Sequence, residues 1–163
     1  MNVTVRKLNK KDLVKAVEIW NEVVSEGVAF PQEEPLTLSG GESFFNAQTY
    51  VGVAENGETG EVLGLYILHP NNVGRCSHIA NASYCVSSAA RGQRVGEALV
   101  KDCLIKAREH GFKILQFNAV VETNERARKL YEKSGFNLLG VIPGGFRLND
   151  GKYENICLYY IEL

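Results

Sequence analysis

Apolar positions along the 163 residues switch repeatedly between a two-residue alternation and helical spacing. VTVRKL, from Val3, predicts a first strand. Leu13, Ala16, Val17, Trp20 and Val24 then recur on one helical face, with Asn9 or Asp12 as cap and Gly27 as stop. Pro31 and Pro35 forbid a regular helix in VAFPQEEPLT, which reads as an extended loop before a short helix over Leu38–Asn46. TYVGVAE and EVLGLYILHP form a hairpin-like pair about Asn56 and Gly57, and SHIANASYCV predicts a strand from Ser77 to Val86. A helix from near Gly92 to His110 carries Val95, Leu99, Cys103 and Ala107 on one face and ends at Gly111. KILQFNAVV is almost continuously apolar, the pattern of a central strand buried on both sides. Asn124 caps NERARKLYEKSG, which closes at Gly135. FNLLGVI and YENICLYYIEL supply two final strands, with PGGFR opening or bulging the first. Strands alternating with helices, without repeat or linker, imply one mixed α/β domain over residues 1–163.

Composition narrows the function classes. At 45% hydrophobic and 23% charged residues the balance is that of an ordinary globular protein. A formal net charge of -1 without a basic run offers nucleic acid no electrostatic footing. MNVTVRKLNKKDL lacks the apolar core of a signal peptide, and no stretch approaches the roughly 20 apolar residues that span a bilayer. A cytoplasmic location and no membrane partner are therefore expected. The four cysteines, Cys76, Cys85, Cys103 and Cys157, have neither CxxC nor zinc-finger spacing, so reduced thiols and no metal are expected.

The chemistry concentrates in YCVSSAARGQRVGEALV, a buried strand feeding through a glycine-containing turn into a helix. Unpaired first-turn N–H groups and the helix dipole favour an anion there, and glycine lets the backbone approach it. Arg91 and Arg94 add positive charge. A Walker A loop is excluded because Glu97, not lysine, follows Gly96, and the dinucleotide fingerprint lacks its third glycine.

From Val86 to Gly96 the chain reads V-x-x-x-x-R-G-x-x-x-G, which resembles the pyrophosphate motif of the GNAT N-acetyltransferases. Asn124 to Phe136, NERARKLYEKSGF, is similar to the second acetyl-CoA motif of that family. The departure is Arg94, which stands where the family loop has its middle glycine. The resemblance implies the GNAT acyl-CoA N-acyltransferase fold, a twisted mixed sheet of about six to seven strands flanked by about four helices, with acetyl-CoA as co-substrate. It implies that Val86, Ser87 and Ser88 line the pantetheine arm. The N–H groups of Arg91, Gly92, Gln93, Arg94, Val95, Gly96 and Glu97 would hold the pyrophosphate, and Asn124 would lie on the coenzyme side. Tyr131 is the implied general acid toward the departing thiolate. At reference acidities that proton transfer is uphill by only about 2 kcal/mol.

GRCSHIANASYCV and QFNAVVETNERA further resemble the subgroup acting on azetidine-2-carboxylate and proline analogues, in which asparagines matching Asn81 and Asn118 belong to the acceptor site and catalysis. EIWNEVVSEGVAFPQEEPLT resembles phosphinothricin-type acetyltransferases. Both point to a small amine or amino-acid acceptor. The residues alone leave Asn81 and Asn118 open as buried amides bridging irregular backbone, and an amide cannot serve as general base. His69, His78 and His110 read as structural, Glu122 as solvated, and Cys85 has no partner base for a covalent route. Phe30–Thr37 and Gly144–Phe146 are the expected acceptor walls. A protein N-acetyltransferase, a non-catalytic coenzyme sensor and a nucleotide-binding domain are the competing readings. The apolar ICLYYIEL leaves open a homodimer paired through that strand.

Overall fold

The computed structural model describes residues 1–163. Seven strands, β1 (Val3–Lys7), β2 (Tyr50–Asn56), β3 (Val62–Pro70), β4 (Ile79–Val86), β5 (Ile114–Val121), β6 (Asn137–Arg147) and β7 (Tyr153–Glu162), form one sheet. Their spatial order is β1-β2-β3-β4-β5-β7-β6. Every neighbouring pair is antiparallel except β4 and β5. Four α-helices cover the sheet: α1 (Leu13–Glu26), α2 (Leu38–Asn46), α3 (Val95–Glu109) and α4 (Glu125–Lys133). This is the mixed α/β architecture expected from the alternating periodicities.

Strand alternation separates two apolar layers. Ala16, Ile19, Trp20 and Val23 of α1 meet Val51, Val53, Leu65, Ile67 and Cys85 on one face. Trp20 anchors this layer, its ring 4.5 Å from Phe30 and 5.0 Å from Phe44. On the other face Leu99, Cys103 and Ala107 of α3 pack on Tyr66, Leu68, Ala82, Leu115, Phe117 and Tyr159. Asn9 and Asp12 both act at the first helical turn: Asn9 accepts from the Lys11 N–H, while Asp12 accepts from the Asn9 N–H and from Arg6.

Several sequence expectations shift. The fourth strand begins at Ile79, because Ser77 and His78 close a 3-10 turn over Gly74–Cys76. The third helix begins at Val95, so Gly92, Gln93 and Arg94 form the turn before it. The hairpin between β2 and β3 uses the longer loop 57–61, with Gly60 at φ 73° donating to the Asn56 carbonyl. PGGFR bulges β6 without ending it. ICLYYIEL lies inside the sheet between β5 and β6, so its apolar character is core; the free edge on that side is β6.

Candidate functional site

The sheet is forked at its centre. β4 and β5 pair only at Ile79 with Ile114 and Ala80 with Leu115. Beyond that point Asn81–Val86 has β3 on one side and no strand on the other. An exposed row of backbone groups inside a sheet requires partners, so the fork is a ready receptor for an extended polar chain. On the β7 side β5 carries one extra residue between Phe117 and Val120, a bulge at Asn118 and Ala119. Bulges of this kind re-aim side chains beside functional sites.

Below the fork, on the α3 and α4 face, lies a cluster of aromatic rings. Tyr131 sits 4.5 Å from Phe117, 5.7 Å from Phe136 and 6.1 Å from both Tyr84 and Tyr159. The phenols differ in how their hydroxyls are held. Tyr66 donates to Asp102 at 2.7 Å and Tyr159 to Glu132 at 2.8 Å. Tyr84 is sealed without a partner. The Tyr131 hydroxyl is neither partnered within the chain nor sealed, so it alone is available to a ligand. Packing against these rings pushes the Tyr131 phenol well above its ordinary range, with the Cys103 thiol adding to the rise. Tyr131 therefore stays protonated at neutral pH. The same shift widens the roughly 2 kcal/mol gap expected from reference acidities, so a thiolate would receive a strong hydrogen bond before a whole proton.

β4 runs from the fork into the anion turn. Nothing in the chain accepts from the N–H groups of Gly92, Gln93 and Arg94, and those of Val95, Gly96 and Glu97 are the free first-turn donors of α3. Gly92 has φ 80° and open space where a Cβ would stand. Arg94 has φ 62°, and no other non-glycine residue in the chain has a positive φ. The turn thus keeps its left-handed shape with an arginine in the glycine position, and the exposed guanidinium has no ion-pair partner. These free donors, an open glycine and an unpaired cation fit a pyrophosphate. Arg91 differs: its guanidinium meets Glu26 of α1 at 2.5 Å. Glu22, one turn earlier, accepts from the Ser88 N–H at 3.2 Å; hydrogen bonding from the Ser88 side chain first, and then from that N–H, holds the pKa of its carboxyl below the usual range. Helix α1 thus braces the turn through two carboxylates. Asn124 caps α4, its Oδ1 accepting from Ala127 at 3.3 Å.

Above the fork, on the α1 and α2 face, stand the amides. Asn81 is half-buried; its Oδ1 accepts from the Ala82 N–H at 2.8 Å, leaving Nδ2 free. Asn118 is exposed, where continuous strand burial had been expected, because the bulge turns it out of the ladder. It accepts from Gln116 at 3.1 Å and donates to Asn71 at 2.6 Å. Asn81 thus bonds only the next residue of its own strand and keeps a free donor, while Asn118 bonds side chains and no backbone. Neither makes the bridge to a neighbouring strand's backbone that a buried structural amide would make. Two clefts share walls here, and Asn81 lines the inner of them. The inner, of about 430 Å³, is lined by residues that include Phe44, Ile67, His69, Asn81 and Ser83. The outer, of about 380 Å³, lies between Phe30–Glu33 and Gly145–Arg147. Pro31 and Gln32 wall both. Glu33 and Arg147 form an ion pair across the outer cleft. The two segments expected as acceptor walls are thus brought together.

Cys85 is fully buried and burial pushes its thiol far up, leaving no thiolate for a covalent route. No cysteine is paired. His78 is exposed in the turn before β4. His69 was read as structural, yet it lines the inner cleft; only the β3–β4 register reveals this.

Residues 16–136 match the model of the acetyltransferase (GNAT) family. The N-acetyltransferase aca1 of Schizosaccharomyces pombe is 30% identical over 86% of this chain and 75% of its own. Among solved structures, a GCN5-related N-acetyltransferase from Kribbella flavida superposes with a TM-score of 0.91 at 33% identity, covering 99% of this chain and 98% of that one. The GNAT superfamily phosphinothricin acetyltransferase of Sinorhizobium meliloti, solved with acetyl-CoA, shares the fold with a TM-score of 0.92 at 23% identity, over 100% of this chain and 89% of that one. The chain belongs to the acetyltransferase (GNAT) family and is an acetyl-CoA-dependent N-acetyltransferase.

Proposed function

We propose that the chain, acting as one catalytic domain, acetylates the amine of a small amino-acid-like acceptor by direct transfer in a ternary complex. The observation that carries this is the fork, with a ligand-accessible phenol on one face of the sheet and paired clefts on the other. The clefts are small, and the Glu33–Arg147 pair crosses the outer one. That suits a compact acceptor better than an extended peptide.

In this reading the free N–H groups of Gly92–Glu97 and the Arg94 guanidinium hold the pyrophosphate. Val86, Ser87 and Ser88 line the pantetheine arm, and the unpaired edge of β4 supplies an N–H to the thioester oxygen. When bound, acetyl-CoA supplies an activated acyl carbon and a thiolate leaving group. Tyr131 donates toward that sulfur. Asn81, through its free Nδ2, and Asn118 orient the acceptor above the fork. The free phenol and anion turn favour a catalyst over a sensor.

Free-thiol release from acetyl-CoA with a panel of amino acids, proline analogues, polyamines and peptides tests the proposal. Acceptor-dependent release with a small amine supports it. Release with peptides alone overturns the acceptor class, and coenzyme binding without release for any amine overturns the catalytic reading.

A further inference from the structure

An amine that reaches the site as an ammonium must lose a proton before it can attack, and neither asparagine can take it. Among the side chains lining the two clefts, the titratable groups are His69 in the inner cleft and Glu33 and Arg147 in the outer. Glu33 is held by Arg147. His69 stands directly opposite Asn81 in the β3–β4 ladder, so the imidazole and the amide are neighbours on the acceptor face. Its Nδ1 lies 2.9 Å from the Pro70 carbonyl oxygen. A carbonyl only accepts, so Nδ1 carries the ring proton and Nε2 of the neutral imidazole keeps its lone pair. This is the arrangement of an oriented base: one nitrogen is anchored to the backbone, and the other keeps its lone pair on a residue that lines the same cleft as Asn81.

From this geometry we infer that His69 is the general base of the acetyl transfer, a role that rests on the acceptor reading above. His69 Nε2 takes one proton from the ammonium and releases it to solvent, since the residue is only half-buried. The freed nitrogen pair forms the C–N bond as the C–S bond breaks. The nitrogen then sheds a second proton, and one proton ends on the sulfur, so the amide and free thiol leave with one proton released overall. Tyr131, on the opposite face, serves the sulfur and cannot serve the amine.

The test is His69→Ala, assayed with an accepted amine and with its aminooxy analogue, which is uncharged at neutral pH. Loss of a general base is worth roughly 10²–10⁴ in rate. The expected result is a loss of about 100-fold or more in kcat/KM for the ammonium substrate, a much smaller loss for the aminooxy analogue, and partial recovery with added imidazole. Acetyl-CoA affinity, measured by calorimetry, should stay at the wild-type value and shows that the variant is folded. An unchanged rate, or an equal loss with both nucleophiles, overturns the assignment. The ratio is read on whichever amine the wild-type protein accepts, small or peptidic. Failure of the acceptor class and failure of the base are therefore separate results.

Discussion

Arg94 offers the sharpest test of the anion turn. Its φ of 62° places a Cβ in left-handed backbone where the family loop carries glycine. A left-handed conformation costs an L-residue roughly 1–2 kcal/mol. Glycine would remove that strain but adds about 0.5–1 kcal/mol of unfolded-chain entropy. Arg94→Gly should therefore stabilise the protein by about 0.5–1 kcal/mol, or roughly 1–4 °C in Tm for a chain of this size. The same change removes a cation that has no partner in the fold. An exposed charge contact is worth about 0.5–1 kcal/mol, so acetyl-CoA affinity should fall roughly two- to fivefold, and less at high salt. Arg94→Ala separates the two effects, because alanine keeps the strain and loses the charge. It should weaken the coenzyme equally while leaving Tm without the gain. Differential scanning calorimetry and isothermal titration read both quantities. A glycine variant less stable than wild type, or an alanine variant stabilised as much as glycine, would refute the strain argument; unchanged affinity in both would refute the charge.

Tyr131→Phe removes the one phenol hydroxyl in the cluster open to ligand and should lower turnover about 100-fold with acetyl-CoA affinity nearly unchanged; a wild-type rate removes the donor role. Asp12 is 3% exposed and takes two bonds from Arg6, which hold its carboxyl below the ordinary range. Because that value is depressed in the fold, its contribution is present above the unfolded value of about 3.9 and fades as pH falls through the folded one. Asp12→Ala should therefore cost about 2–3 kcal/mol at pH 7 in urea titration, with the deficit shrinking below about pH 4. A Cβ at Gly52 would stand 2.1 Å from the Tyr66 ring. Gly52→Ala should cost about 3 kcal/mol by overpacking and by straining the Tyr66–Asp102 hydrogen bond. A near-neutral change in chemical denaturation would show that the ring moves freely.

The elements were legible where one periodicity rules a whole segment. The apolar stripe of α1 needed no tertiary information, and Gly27 ends it at φ 66° as expected. The anion turn was legible from its glycines, and Arg94 could be seen as a departure, though not as a residue held left-handed. The fork was not legible, because KILQFNAVV reads the same whether or not β4 follows it along its full length. Nor was the bulge, since an asparagine inside an apolar run fits a buried amide as well as an exposed one. His69 was missed for a different reason: its meaning depends on which residue faces it across the ladder, and register is fixed by long-range packing. Glu22 and Glu26 look like solvent-facing helix positions until the turn after β4 arrives beside them.

The fork has a consequence for how the molecule opens. With only Ile79, Ala80, Ile114 and Leu115 joining the two antiparallel meanders through the ladder, β1–β4 and β5–β7–β6 are two hydrogen-bonded blocks sharing a short seam. Native-state hydrogen exchange should find them as separate cooperative units, with amides of the seam less protected than the centres of β3 and β7. A coenzyme laid between the blocks adds backbone partners to both, so its binding energy stabilises them jointly. Saturation with acetyl-CoA should merge the two exchange units into one, making the co-substrate a temporary eighth strand of the sheet.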